Sequence, residues 1–134
     1  MFSPPLPSRR AVLALAATLP LVAACGRTAP LETIERQAFL QRGTPEQRAA
    51  QIRQAGTELG WRMMDLTPGV IRATLLIRSH SATVDIPYDA TGFEIRYVAS
   101  TNLNEGRYNG TYIHPSYNFW VRHLQRRILA TPVA

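Results

Sequence analysis

Between residues 44 and 131 the apolar positions run first at helical spacing, then in alternation, then at helical spacing again. Thr44-Pro45-Glu46-Gln47 is a helix start: Thr44 is a cap, Pro45 suits the first helical position and Gln47 completes a capping box. Ala49, Ile52, Ala55 and Leu59 follow at helical spacing, and Gly60 is the natural stop. The next stretch predicts four strands. Trp61 to Thr67 ends at a Pro68-Gly69 turn. Val70 to Arg78 carries Ile71, Ala73, Leu75 and Ile77 on one side and Arg72, Thr74 and Arg78 on the other. Ala82 to Tyr88 alternates Ala82, Val84, Ile86 and Tyr88 with Thr83 and Asp85. Phe93 to Val98 turns Phe93, Ile95 and Tyr97 inward and Glu94 and Arg96 outward. Alternation of this kind marks an antiparallel sheet with one buried and one wet face.

The register follows from parity and turn length. Ile77 opposite Ala82 leaves Arg78-Ser79-His80-Ser81 as a turn and sets Val84 against Leu75. Tyr88 opposite Phe93 leaves Asp89-Ala90-Thr91-Gly92 and sets Asp85 against Arg96 as an outward ion pair. A slip of one residue would turn the whole apolar set into water. Pro87 cannot donate to a ladder, so pairing should fail or bulge there. Asn109-Gly110, between Tyr108 and Tyr112, has the form of a tight hairpin turn. A final helix starts near Pro115, with Tyr117, Trp120, Val121, Leu124 and Ile128 on one face and Arg122, His123, Gln125, Arg126 and Arg127 on the rest. The aromatics Trp61, Tyr88, Phe93, Tyr97, Phe119 and Trp120 are expected in the core. The expected architecture is a two-layer α+β sandwich: helix, four-strand antiparallel meander, C-terminal helix.

The first residues read differently. Ser8-Arg9-Arg10 is a basic start, Ala11 to Leu21 is apolar, and Val22-Ala23-Ala24-Cys25-Gly26 ends the segment in small residues and a cysteine. This is the layout of a secretory signal, and the apolar run is shorter than the ~20 residues of a membrane-spanning helix. Val22-Ala23-Ala24-Cys25 resembles the lipobox of bacterial lipoproteins. That resemblance implies removal of residues 1–24, acyl chains on Cys25 as the covalent lipid and no other cofactor. It also implies a membrane anchor, since two or more acyl chains hold stably where one does not. Gly26 stands where an Asp would retain an enterobacterial-type lipoprotein in the inner membrane, so the expected address is the periplasmic face of the outer membrane. The Arg pair is a partial match to a twin-arginine export signal. Cys25 is the single cysteine, which leaves the mature domain without an intramolecular disulfide.

Without residues 1–24 the chain has 110 residues, enough for one domain, expected over 44–131 with 25–43 as lipidated Cys25 and tether. The tether carries Leu31, Ile34, Ala38 and Phe39 and fits either a short helix or an edge strand. All fifteen basic residues are Arg; thirteen remain against nine carboxylates, a formal charge near +4. Such a charge suits a solvated surface or anionic envelope polymers and lipids; nucleic acid is not an expected partner in that compartment.

Gly60-Trp61, Pro68-Gly69-Val70-Ile71-Arg72-Ala73-Thr74-Leu75, Arg78-Ser79-His80-Ser81-Ala82-Thr83-Val84-Asp85-Ile86-Pro87-Tyr88, Ile95-Arg96-Tyr97, Ser100-Thr101-Asn102-Leu103 and Ile113-His114-Pro115-Ser116-Tyr117-Asn118-Phe119-Trp120 together resemble a family of small proteobacterial lipoproteins. The resemblance spans about residues 45 to 128. That family has no assigned activity, so the resemblance implies fold and address and carries over no catalytic residue.

Candidate chemistry is sparse. Ser79-His80-Ser81 with Asp85 invites a hydrolase reading, but the serines are sequence neighbours of the histidine and no Gly-x-Ser-x-Gly elbow is present. His80, His114 and His123 are not spaced as metal ligands, and no second cysteine joins them. The remaining polar set, Arg72, Arg78, His80, Asp85, Arg96, Asn102, Asn104, His114, Tyr117 and Asn118, falls in turns or on the wet face. It fits a binding surface, or residues that satisfy loop backbone and form a cross-strand ladder. The expected function is a non-enzymatic binding or structural role in the envelope, through an open sheet face or loop end that meets a protein or other envelope partner. An exposed apolar patch would favour that reading. The alternative is a periplasmic domain for a small anionic or sugar ligand, which a pocket lined by Arg78, His80 and His114 would favour. A hydrolase is the third reading.

Overall fold

The capping box at Thr44 forms as its residue types dictate. The Gln47 N–H donates to Thr44 Oγ1 at 3.2 Å, and the Thr44 N–H donates to Gln47 Oε1 at 2.8 Å. Helix α1 (Pro45–Glu58) follows with Ala49, Ile52 and Ala55 buried, and Gly60 takes φ +88° past its end. These are features of a computed structural model, which describes residues 2–4, 27–106 and 110–134. Residue 1 and residues 5–26, which hold the basic start, the apolar run and Cys25, and Tyr108 and Asn109 of the expected hairpin lie outside the described residues.

The alternating stretch forms β3 (Arg62–Thr67), β4 (Val70–Ile77), β5 (His80–Pro87) and β6 (Gly92–Thr101), the expected antiparallel meander. Two strands precede α1: β1 (Ala29–Pro30) and β2 (Ile34–Ala38). The tether is therefore an edge strand and not a helix. β2 joins β6, giving a five-stranded sheet in the order β2-β6-β5-β4-β3, while β1 pairs with β7 (Tyr112–Ile113). Helix α2 (Pro115–Ala130) closes the described fold. The architecture is an α+β sandwich with both helices against one sheet face.

The core lies between those layers. Ile71, Ala73, Leu75, Ala82, Val84, Ile86, Phe93 and Ile95 are buried on the sheet side, facing Ile52, Ala55, Tyr117, Val121, Leu124 and Ile128 from the helices. Each large side chain in this set contributes ~1.5–3 kcal/mol on leaving water. Phe119 is a correction: it is 58% exposed, on the side of α2 turned from the sheet.

The β4–β5 register also differs from expectation. Ile77 sits opposite His80, so the turn is the two residues Arg78-Ser79, with Arg78 at φ +55°. Ala73 then faces Val84, and Leu75 faces Ala82. The change is a shift of two residues, which leaves every side chain on its own face, and alternation alone cannot distinguish the two registers. The β5–β6 expectation is correct: Tyr88 bridges Phe93 and Asp85 opposes Arg96. The register then shifts between Val84 and Thr83. Pro87 closes β5, and the regular ladder to β6 stops at Asp85, as a residue without an N–H requires.

Candidate functional site

The sheet face turned away from the helices carries a straight row across four strands. Met64 opposes Arg72, Arg72 opposes Asp85, and Asp85 opposes Arg96. The tighter β4–β5 turn creates the central contact. Arg72 donates from Nε to Asp85 Oδ1 at 2.8 Å and from Nη2 to Oδ2 at 3.0 Å. This two-pronged hydrogen bond raises the Arg72 pKa above its ordinary value. The expected Asp85–Arg96 ion pair does not form, because the Arg96 guanidinium turns along its own strand to Glu94. Beside this row the hydroxyls of Thr74 and Thr83 lie 3.2 Å apart. Met64 (56% exposed) and Leu76 (55%), with Val98, place apolar surface around the polar centre.

The loop end holds the other predicted residues but does not gather them into a cleft. His80 Nδ1 lies 2.7 Å from the Asn102 carbonyl oxygen, and Asn102 Nδ2 donates to the Ser79 carbonyl at 2.8 Å. Asn102 and Asn104 adopt φ +56° and +54°, the left-handed region that asparagine tolerates. Both asparagines thus shape the loop after β6. His114 caps α2: its Nδ1 accepts the Ser116 N–H at 3.1 Å, and its own N–H donates to Leu103 O at 2.7 Å. Arg78 is exposed in its turn. Asp85 stands five residues along β5 from His80, ~16 Å at strand rise. Ser79, His80, Ser81 and Asp85 therefore make no relay. Open surface clefts are lined by other residues, one by Gln54, Glu58, His123, Arg126 and Arg127, another by Phe39, Arg42, Gly43 and Arg48. Among the described residues no cluster of three or more metal-ligating side chains occurs.

Asn118 works as a clamp. Its buried amide donates to the Pro30 carbonyl at 2.8 Å and accepts the Glu32 N–H at 3.0 Å. One turn on, Arg122 grips the Glu32 carboxylate at 2.8 and 2.5 Å. The Leu31 N–H donates to Thr111 O at 2.8 Å. Residues 29–32 are thereby fastened along the first turns of α2, close after the expected lipid attachment point.

One buried group was not singled out by sequence. Arg48 is 1% exposed. It donates from Nε to Ala90 O at 2.9 Å, from Nη1 to Gln51 Oε1 at 2.9 Å, and from Nη2 to Gln41 O. Burial lowers its pKa, and carbonyl oxygens in place of a carboxylate hold the charge. Gln51 passes the link on to Ile128 O and Thr131 O, both at 2.9 Å. The signal was the spacing: Arg48, Gln51 and Ala55 stand on the stripe beside Ala49 and Ile52. Tyr117 lies edge-on to Tyr97 at 5.5 Å, and its hydroxyl has no hydrogen-bond partner among the described residues. Burial pushes that phenol far above its ordinary range.

Comparison with protein-family models, curated proteins and solved structures finds no match to this chain.

Proposed function

We propose that this chain is a lipid-anchored envelope protein whose domain binds a protein partner, without catalysis, through the open sheet face. The address rests on Val22-Ala23-Ala24-Cys25 and on Gly26, which favours the outer membrane. The observation that carries the binding role is the sheet face itself. Met64, Leu76 and Val98 stand exposed around the Arg72–Asp85 pair, covered by neither α1 nor α2. Apolar surface framing a fixed charge pair is the composition of a recognition surface, where aliphatic contacts supply burial and the charges set register.

Intact mass and membrane fractionation test the address. The purified protein should begin at Cys25 with acyl chains attached, and Cys25→Ala should release it from membranes. In-cell photocrosslinking tests the surface, with probes at Arg72 and Arg96 on the face, Tyr112 on β7, and Ala50 on the outer side of α1. Capture of one envelope protein from the two face positions, lost in an Asp85→Lys variant, supports the reading. Equal capture from Ala50, or none from the face, removes it.

A further inference from the structure

We propose that the outer stripe of α2 rests on the anionic phospholipid headgroups of the membrane that holds the anchor, so that the open sheet face points into the aqueous space. The inference depends on the lipid-anchor reading above. Ala29 lies four residue steps from Cys25, a reach of at most ~14 Å even when fully extended. Ala29 and Pro30 are already paired to β7, and Pro30 and Glu32 are clamped by Asn118. The anchor therefore ends beside the first turns of α2.

What α2 offers the membrane is set by its own geometry. Tyr117, Asn118, Val121, Leu124 and Ile128 face the core. At 100° per residue Phe119, Arg122, His123 and Arg126 lie on the opposite side. Phe119 is the exposed aromatic of that side, its ring tilted on His123 with centroids 5.9 Å apart. The helix contains no carboxylate. Arg122 is matched by Glu32 and Arg127 by Glu58, whereas Arg126 and Arg27 form no ion pair among the described residues. The stripe is thus cationic with one apolar tip, complementary to phosphate headgroups and the shallow acyl region below them. Because the helices cover one sheet face, a membrane on their outer side leaves Met64, Arg72 and Asp85 facing away from it.

The test uses the full mature protein, purified with its lipid and reconstituted in phosphatidylethanolamine–phosphatidylglycerol vesicles. Phe119→Cys, His123→Cys and Thr74→Cys each carry a spin label, and collisions with a water-soluble nickel chelate report exposure. Labels at 119 and 123 should lose at least about fivefold in accessibility relative to phosphatidylcholine vesicles, the bias one arginine, here Arg126, gives at an anionic surface. The label at 74 should not change. Arg126→Glu, combined with the label at 119, should restore accessibility while circular dichroism stays native. Equal accessibility at all three sites overturns the proposal. Intact mass keeps the two readings separate. A chain without acyl mass overturns the anchor, and the full chain is then sedimented with the same vesicles, where failure to bind overturns the α2 surface as well.

Discussion

The Arg48 guanidinium stacks on the Phe39 ring, 4.0 Å from its centroid, with Gly43 packed so closely that a Cβ there would sit 2.9 Å from Arg48 Cζ. One side chain thereby ties the end of the tether to α1, to the β5–β6 turn through Ala90, and to the end of α2 through Gln51. Arg48→Lys should be poorly tolerated, because a compact ammonium lacks the planar fork that reaches three oxygens. Arg48→Met would leave carbonyls of Gln41 and Ala90 unpaired. Either change should lower the unfolding free energy by about 2–4 kcal/mol in urea denaturation. A loss below about 0.5 kcal/mol, the range of ordinary surface substitutions, would show that the clasp contributes nothing.

Asn118→Ala should act locally before it acts globally. It removes two hydrogen bonds to the segment that follows the anchor, at a cost of about 1–3 kcal/mol. In native-state hydrogen exchange the Glu32 amide should lose its protection while the amides of β4 and β5 keep theirs. Unchanged exchange at Glu32 would mean that the backbone pairing of β1 and β7 holds the segment unaided.

Tyr117→Phe deletes a buried hydroxyl that is without a partner among the described residues. Deleting such a group removes a desolvation cost and no hydrogen bond, so stability should stay level or rise by up to about 1 kcal/mol. Thermal unfolding measures it. A clear fall in midpoint would show that the hydroxyl makes a contact in solution.

Asp89 supplies the pH dependence. Its Oδ1 accepts from Arg36 Nη2 at 2.9 Å, from the Thr91 N–H at 2.8 Å, from the Thr91 hydroxyl at 3.0 Å and from the Gly92 N–H at 3.0 Å. The Arg36 hydrogen bond first, then those of Thr91, hold the carboxyl well below its ordinary value. A folded-state value below the unfolded one stabilises the turn above the unfolded value, and that stabilisation is lost as pH falls through the folded one. The amide resonances of Thr91 and Gly92 should therefore hold their neutral-pH positions through the ordinary carboxylate range and move only in stronger acid. A midpoint at or above that range would show that the Arg36–Asp89 contact does not persist in water, where both side chains are about half exposed.

Much of the fold could be read in advance because its information is local. Thr44, Pro45 and Gln47 make a helix start by their own chemistry, and alternation from Val70 to Tyr97 assigns sides before any partner is known. The site was less legible. Arg72 and Asp85 were placed on the correct face, but their partnership depended on a turn of two residues in place of four. Arg96 was assigned to Asp85 by register, yet a long side chain has several carboxylates within reach and Glu94 took it. The spacing of the aromatics suggests a core place for Phe119 as well, but its position on α2, one residue before Trp120, turns it outward.

The amino-acid sequence by itself determined the helix starts, the parity of each strand, the α+β class and the expectation of an anchor at Cys25, because each depends on residues within a few positions of one another. Tertiary structure decided the rest: the tether as an edge strand on β6, the clamp of Asn118 on Pro30, the enclosure of Arg48 and the Arg72–Asp85 pair. The Asn118 contacts join residues 86 and 88 positions apart, and the Arg48 bond to Ala90 spans 42. No local period encodes which distant backbone group an amide or a guanidinium will meet. That choice is made only when the packed layers leave one set of carbonyls without water.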